Sequence, residues 1–374
     1  MRIPLFRPVV CEEAVTAVAE VLRSGWLGLG PKTAAFEQAF AEYVGSPYCV
    51  ALNSCTSALH LAVRLLELPP GSEVITTPIT FVSTNHAILY ERCRPVFADV
   101  EPGTGNLDVR SVAAHINERT KAIMLVHFGG YPCDLDAIYA LADKHGLAVI
   151  EDCAHACGAS YRGRRIGSHG DLHAFSFHAV KNLAVCDGGA LTLRRPDYYE
   201  RLRRLRWMGI DRDTFRRTQP RAYHWDYDVV ELGYKYHMTD VVAAVALEQL
   251  RHLDEQNEYR RRLAEAYREG LRNVPGIRLP EYAADRTSSH HLFWILAEDR
   301  DGLAEKLRAA GVDVGVHYRR NDSYSMYEKC ELPQAELFWR HVLSLPMHLM
   351  LKEEHIEYIT RVIAAGWDAA RRAA

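Results

Sequence analysis

The sequence has few of the features that mark membrane, secreted or nucleic-acid-binding proteins. Among its 374 residues no apolar run reaches the roughly 18 residues of a membrane span, and the start MRIPLFRPVV has no apolar core long enough for a signal peptide. No internal repeat or low-complexity segment is present. The 45 Lys and Arg residues nearly balance the 48 Asp and Glu residues, and the net charge of −3 gives no electrostatic case for nucleic acid or an anionic membrane as a partner.

The nine cysteines also lack the spacing of a metal or disulfide framework. None forms a Cys-x-x-Cys pair, and the odd count predicts reduced thiols in a cytoplasmic chain. The segment Cys153-Ala-His155-Ala-Cys157 offers three candidate ligands, but a fourth with motif spacing is missing. Because the segment follows a predicted strand, where cysteine is more often a small buried apolar residue, we expect no metal site there.

The chain length predicts two domains. Through residues 1–250, short apolar runs alternate with helical patterns, which predicts an α/β domain with buried parallel strands and crossover helices. Residues 251–374 combine charged helices with short strands around His291–Leu296 and Val312–Tyr318 and a last helix over Lys352–Ala373, a pattern that predicts a smaller α+β domain. The strands predicted for the first domain are Tyr48–Leu52, Val74–Thr77, Pro95–Val100, Ala122–Val126, Ala148–Glu151, Leu172–Phe177 and Ala190–Leu193.

Lys181 lies between the last two of these strands, before a turn predicted at Asp187-Gly188-Gly189. Its neighbours include Phe177, Leu183 and Val185. An ammonium group in apolar surroundings has a lowered pKa, and the neutral amine forms a Schiff base with an aldehyde. A surface-loop lysine whose butyl stem covers apolar side chains would give the same pattern. Lys181 alone therefore does not distinguish a reactive amine from a surface residue, and the other motifs are needed.

Three further groups stand at predicted strand ends, where parallel sheets bind their ligands. Thr56 and Ser57 lie between a strand and a helix, and the helix N-terminus is suited to hold a phosphate. Asp152 follows the strand AVIE. Phe81 lies just past the strand predicted at Val74–Thr77, where a flat ring could stack on it. Each also has an ordinary explanation: a helix cap, a solvated loop acid and a core phenylalanine.

Together these residues match the requirements of one cofactor. Pyridoxal 5′-phosphate (PLP) needs a lysine for its aldehyde, an acid that keeps its ring nitrogen protonated, and donors for its phosphate. The protonated ring is the electron sink of the chemistry, which is why the acid matters. The sequence therefore predicts a PLP enzyme.

Longer motifs extend over nearly the whole chain. They include NSCTSALHLA at 53–62, EDCAHA at 151–156, FSFH at 175–178, KNL at 181–183 and SLP at 344–346. In these motifs the sequence resembles the sugar aminotransferases of the DegT/DnrJ/EryC1/StrS family, which are fold-type I (aspartate aminotransferase-like) PLP enzymes. The resemblance implies a large domain with a mostly parallel seven-stranded sheet, a small C-terminal α+β domain, and homodimers with active sites at the subunit interface.

The resemblance also implies roles for individual residues. Lys181 would form the Schiff base and act as the base of the 1,3-proton shift. Asp152 would pair with the pyridine nitrogen, His155 would lie near the hydroxyl side of the ring, and Phe81 would stack on it. The residues implied to hold the phosphate are Thr56, Ser57 and Ser176.

Two segments depart from the family pattern. Gly233–Met238 matches the stretch that reaches into the partner's site, but Lys235 stands where many relatives have Asn. We expect Lys235 to contact the phosphate of the neighbouring subunit's cofactor. In the other segment, many relatives follow His-Tyr with a Pro and a second His, whereas here Arg319 and Arg320 follow. Either arginine would meet a diphosphate or a carboxylate, or belong to a solvated loop. The substrate candidates are His317, Tyr318 and Arg319.

The implied reaction is ping-pong transamination. L-Glutamate would give its amine to the cofactor, and the resulting pyridoxamine 5′-phosphate would aminate the keto group of a nucleotide-linked deoxysugar. Family members with His in place of the lysine act as dehydratases, so Lys181 favours transamination. The alternatives are amination of a ketocyclitol, a PLP-dependent elimination or isomerisation on a sugar nucleotide, and a PLP-binding regulator. We do not expect the regulator, because the chain starts directly with the family's N-terminal helix rather than a DNA-binding domain.

Overall fold

A seven-stranded sheet organises the larger part of the molecule in this computed structural model, which describes residues 2–211 and 226–372. In chain order the strands are β1 (Tyr48–Leu52), β2 (Glu73–Thr76), β3 (Arg94–Phe97), β4 (Thr120–Val126), β5 (Ala148–Asp152), β6 (Ser160–Tyr161), β7 (Arg164–Arg165), β8 (Leu172–Ser176), β9 (Gly189–Leu193), β10 (Ile277–Arg278), β11 (Arg286–Thr287), β12 (Phe293–Ala297) and β13 (Val342–Leu345). The helices are α1 (Glu12–Ser24), α2 (Pro31–Val44), α3 (Cys55–Leu65), α4 (Val82–Tyr90), α5 (Val109–His115), α6 (Leu135–His145), α7 (Pro196–Leu205), α8 (Asp240–Arg251), α9 (Leu253–Leu271), α10 (Arg300–Ala309), α11 (Pro333–His341) and α12 (Glu353–Arg372).

The strand order of the large sheet is β1-β9-β8-β5-β4-β2-β3. All seven predicted strands are confirmed, although β3 ends three residues earlier than expected. The sheet is parallel except for β9, which runs antiparallel to both of its neighbours. The reason is its connection: residues 177–188 contain no crossover helix, and a short connection of this kind joins antiparallel strands.

Helices cover both faces of this sheet, which explains why its strands are continuous apolar runs. One apolar cluster includes Phe36 and Phe40 of α2, packed with Leu125 of β4 and Phe175 of β8. A second cluster, which includes Leu59 of α3, lies on the opposite face of the sheet and contains the alternate residues of the same strands. This mostly parallel seven-stranded sheet between helices is the architecture that the resemblance implies.

A second sheet, β10-β12-β13, is antiparallel and packs with α9, α10 and α12. The strand predicted at Val312–Tyr318 is wrong, because Val312 pairs with Ile3 and Gly315 pairs with Ser344, so no continuous ladder forms. Ile3 lies in the core of this smaller unit, although it is the start of the chain. We propose a domain boundary at residues 250/251, in the last turn of α8. The predicted end of the last helix, Ala373, lies outside the described residues. None of the described helices has the length and apolar character needed to cross a bilayer.

Candidate active site

A cavity of about 400 Å³ opens at the carboxyl ends of β5 and β8, where a parallel sheet is expected to bind its ligand. Its volume falls in the range of roughly 300–1,000 Å³ that holds small ligands and cofactors. Most of the residues singled out from the sequence meet there. The predicted residues that line the cavity are Thr56, Phe81, Asp152, His155, Ser176, Lys181, His317 and Tyr318.

Lys181 lies on the loop between β8 and β9, and the fold fixes that loop firmly. The Phe177 amide donates to the Gly188 carbonyl (2.9 Å), and the Val185 amide donates to the Phe177 carbonyl (2.9 Å). Leu183 is fully buried beneath the loop. The apolar residues that suggested a buried lysine therefore anchor the backbone on which it is carried.

The surroundings of Lys181 make its amine less basic than an ordinary lysine. Burial lowers its pKa from 10.5 to about 8, while the nearby Cys55 and Asp152 act in the opposite direction. At pH 7 a pKa of 8 leaves about one tenth of the amine neutral, against roughly one part in 3,000 at 10.5. Burial thus raises the fraction of reactive amine about 300-fold.

Asp152 is the last residue of β5, and its buried carboxylate is held on both oxygens. Oδ1 accepts from the Ala154 amide (3.0 Å), and Oδ2 accepts from the Thr84 hydroxyl (2.7 Å). Burial raises the pKa of this carboxyl, which the two hydrogen bonds oppose. A cation bound against it would restore the ionised form, because an opposite charge favours a carboxylate.

The N-terminus of α3 also faces the cavity. Ser54 caps the helix, since its Oγ accepts from the Ser57 amide (3.1 Å), and Thr56 lines the cavity beside it. Ser57 does not line the cavity; its hydroxyl donates to Asn53 Oδ1 (2.6 Å). The start of β9 passes directly beneath this turn: a Cβ on Gly189 would lie 2.4 Å from the Ser54 carbonyl carbon. Only glycine permits this approach, which places β9 and the helix N-terminus at one edge.

His155 is buried and neutral, and its hydrogen bonds determine which nitrogen carries the proton. Nδ1 accepts from the Gly129 amide (3.2 Å), so Nε2 is protonated and donates to the Tyr318 hydroxyl (3.0 Å). Burial holds the pKa of His155 well below its usual value and lowers that of His317 to about 4. The imidazoles of His155 and His317 are therefore uncharged at neutral pH.

Phe81 stands at the wall of the cavity immediately before α4. Its side chain is 59% exposed, which is unusual for a phenylalanine. Its ring centroid lies 6.4 Å from that of Tyr318. A planar ligand in the cavity would cover this exposed ring, so the residue is not the core phenylalanine that the sequence also allowed.

Besides Ser57, two predicted residues, Arg319 and Lys235, do not line the cavity of this chain. Arg319 is exposed: its guanidinium donates to the Ser323 hydroxyl (2.8 Å) and lies over the Tyr324 ring. Its neighbour Arg320 is buried in an ion pair with Asp322 (2.6 Å) and is not available to an anion. Lys235 is exposed, with Nζ 3.5 Å from the centroid of the Trp207 ring.

Sequence reasoning missed three residues that hold the site together. Thr84 orients Asp152, as described above. His291 lies with Nε2 3.4 Å from Lys181 Nζ, and Asn182 accepts at Oδ1 from His291 Nδ1 (3.2 Å). The only sequence signal for His291 is its place at the end of a run of seven polar residues, 285–291, shortly before the apolar strand β12.

These residues fit PLP. The amine of Lys181 and the carboxylate of Asp152 line one cavity, and the hydroxyls of Thr56 and Ser176 lie beside a helix N-terminus that offers unpaired amides. An exposed aromatic ring at the wall completes the set. A lysine that bound a simple aldehyde would not need an anion-binding site beside it, so the combination favours a phosphorylated aldehyde.

Comparisons with known proteins agree with this chemistry. The family model of the DegT/DnrJ/EryC1/StrS aminotransferase family matches residues 8–364. The aminotransferase TlmJ from Streptoalloteichus hindustanus is 37% identical and superposes with a TM-score of 0.93, over 99% of this chain and 100% of that one. The sugar aminotransferase CalS13 from Micromonospora echinospora is 36% identical, with a TM-score of 0.91, over 98% of this chain and 100% of that one.

A further solved structure relates the fold to the cofactor. Spr1654 from Streptococcus pneumoniae, in its PLP form, is 29% identical and has a TM-score of 0.91 over 99% of each chain. Both the family model and the structural likeness cover nearly the whole chain. The chain therefore belongs to the DegT/DnrJ/EryC1/StrS family of PLP-dependent sugar aminotransferases.

Proposed function

We propose that this enzyme transfers the amino group of L-glutamate to the keto group of a nucleotide-linked deoxysugar. The observation that carries the proposal is the Lys181 amine, with its pKa lowered to about 8, in one cavity with Asp152. PLP supplies an electron sink when bound. The two half-reactions use the same cavity in turn, with pyridoxamine 5′-phosphate as the cofactor form between them.

The protein's own groups have separate tasks in this scheme. Lys181 takes a proton from one carbon and returns it to another, for which a base with a pKa near neutrality is best suited. Asp152, whose carboxylate is oriented by the Thr84 hydroxyl, would pair with the ring nitrogen and keep it protonated. The hydroxyls of Thr56 and Ser176 and the first amides of α3 bind the phosphate.

The chemistry of the cavity wall supports a hydroxylated substrate. The cavity wall carries hydroxyl and imidazole groups that can form hydrogen bonds with a sugar. They belong to Thr80, Ser83, His178 and Tyr318. With Arg319 engaged by Ser323, these polar groups are the candidates for sugar recognition. They favour a polyhydroxylated ketone over an apolar keto acid.

The proposed function is tested by the visible absorbance of the cofactor bound to Lys181. We expect L-glutamate to remove this band in a single turnover and a nucleotide-linked keto-deoxysugar to restore it. If the band persists with every amino acid tried, the enzyme is not a transaminase. If only ketocyclitols restore it, the proposed substrate is wrong.

We also propose a homodimer in the cytoplasm whose sites lie at the subunit interface. All nine cysteines are free thiols and six of them are buried, a state that a reducing compartment maintains. Lys235 lies on the segment 233–238, which packs beside the end of β1: the Asn53 amide donates to the Tyr236 carbonyl (2.7 Å). This contact fixes the segment beside the N-terminus of α3. Lys235 is exposed, with its ammonium group over the Trp207 ring, and is accessible to a partner subunit.

Replacing Lys235 with alanine is expected to weaken PLP binding about tenfold, because a charge-assisted contact to the partner's phosphate is lost. PLP affinity is measured by titration of the apoenzyme, together with the oligomeric state. Lys235→Asn should retain most of the affinity, since an amide can still donate to phosphate. Lys329→Ala, at another exposed lysine, is the control. An unchanged affinity in Lys235→Ala dimers would rule out the contact.

A further inference from the structure

His291 is the nearest polar side chain to the Lys181 amine among the hydrogen-bond contacts of the described residues. Its Nε2 lies 3.4 Å from Lys181 Nζ, and the ring is buried. The side chain comes from the segment before β12, far from Lys181 in sequence. Contacts of catalytic groups are often long in a structure without ligand and tighten when it binds.

A chain of amides determines the protonation of His291. Both hydrogens of Asn182 Nδ2 are donated, to Asn257 Oδ1 (2.7 Å) and to the Ser289 carbonyl (2.8 Å). Asn257 Nδ2 in turn donates to the Cys157 carbonyl (3.0 Å), which fixes the orientation of that amide. Asn182 can therefore offer only its oxygen to His291 Nδ1 (3.2 Å), so Nδ1 carries the proton.

It follows that Nε2 of His291 faces Lys181 with a lone pair. The ring has little freedom to turn away, because Phe6 stacks against it at 5.9 Å with an interplanar angle of 10° and the His155 ring lies 4.5 Å from it. Burial also keeps the pKa of His291 well below its usual value, so the ring is neutral. Lys181 thus faces a hydrogen-bond acceptor and no second cation at this position.

We infer that His291 is a positioning residue for Lys181: its Nε2 accepts a hydrogen bond from Nζ, and the Asn182–Asn257 pair maintains Nε2 as an acceptor. The inference deepens the proposed function, on which it rests. When Lys181 takes a proton from the substrate carbon it becomes an ammonium group in a buried place, and the Nε2 lone pair stabilises that charge. The proton stays on Nζ and returns to carbon in the next step, so His291 gains and loses none.

The groups that act on the Lys181 charge can be separated by mutation. Cys55 and Asp152 raise the Lys181 pKa and burial lowers it. His155 and His317 are neutral neighbours. Replacing His291 with leucine removes the acceptor but keeps the site apolar, so the Lys181 pKa should fall by about one unit, because the ammonium form loses its hydrogen bond. A variant that only disturbed the packing would instead raise the Lys181 pKa towards 10.5, because water entering the site would reduce the effect of burial.

The test measures the Lys181 pKa in the full-length apoenzyme by trace acetylation at a series of pH values, with the labelled peptide quantified by mass spectrometry. We expect His291→Leu to label about tenfold faster than the wild type below the pKa, while kcat falls about tenfold and KM for the amino donor changes little. His291→Gln, whose amide oxygen replaces Nε2, should restore both values towards the wild type. His290→Asn is the matched control, because His290 is the adjacent buried histidine and its φ of +49° suits asparagine.

An unchanged or raised Lys181 pKa in His291→Leu would overturn the inference. If that variant does not fold, the nitrogen chemical shifts of labelled histidine in the wild-type chain decide, because a proton on Nε2 in place of Nδ1 contradicts it equally. Neither measurement uses a keto substrate. Failure of the proposed function would instead appear as an absorbance band that no amino donor removes.

Discussion

An enzyme with alanine at position 181 is expected to lose at least about 10³-fold in kcat for amino transfer, because it lacks both the Schiff-base amine and the proton carrier. The proposed phosphate-binding site at the N-terminus of α3 does not include this side chain. PLP should therefore still bind the variant, although without a covalent bond. Binding and chemistry are thus separable at this residue.

The charge alone does not replace this amine. Lys181→Arg keeps a cation at the position, but a guanidinium cannot lose its proton at neutral pH and forms no Schiff base. The pKa of about 8 means that capture of an aldehyde by the wild-type apoenzyme should rise with pH and level off above 8. This profile would differ from that of an exposed lysine, whose rate still rises near pH 10.

Steady-state kinetics and the absorbance of bound PLP measure the effect at Lys181. Both Lys181→Ala and Lys181→Arg should lack the Schiff-base band while retaining PLP after gel filtration. A small primary amine added to Lys181→Ala should restore part of the activity, since it can carry the proton within the cavity. Turnover within tenfold of the wild type in Lys181→Ala would show that another base serves the reaction.

Local sequence was sufficient to predict the central sheet and the residues at its carboxyl edge. Asp152 and Ser176 directly end buried strands, and Lys181 lies in the connection between two of them. Position within the chain thus determines their position in space, because parallel strands of alternating βα units place their ends along one edge. The antiparallel β9 was not foreseen, since direction depends on the connection rather than on the strand's own residues.

Contacts between segments that are distant in the chain could not be predicted from local sequence patterns. His291 is 110 residues from Lys181, and its meeting with the amine depends on how β12 packs against the large sheet. Arg319 had the charge to bind a diphosphate, yet Ser323 and Tyr324 in its own loop engage it. The segment Val312–Tyr318 has the alternation of a strand, but its backbone partners come from two separate parts of the chain.

Asp152→Asn is expected to cause the second largest loss of activity, with kcat reduced at least about 100-fold, because a neutral amide cannot keep the ring nitrogen of PLP protonated. The substitution preserves volume, and its oxygen can still accept from the Ala154 amide. The loss would therefore come from the charge rather than from packing. Burial opposes ionisation of Asp152, so the carboxylate depends on an opposing cation and on its two hydrogen bonds.

The role of orientation at Asp152 is separated from that of charge by Thr84→Val. This variant removes the hydroxyl that donates to Oδ2 (2.7 Å) and leaves the carboxylate in place, so we expect a smaller loss, about tenfold. The rate of the half-reaction with L-glutamate measures both variants, and PLP retention is the control for binding. If Asp152→Asn and Thr84→Val lose the same factor, the hydrogen bond rather than the negative charge limits the reaction. A much larger loss for Asp152→Asn, with PLP still bound, would assign to this carboxylate the electrostatic task that its place at the end of β5 suggests.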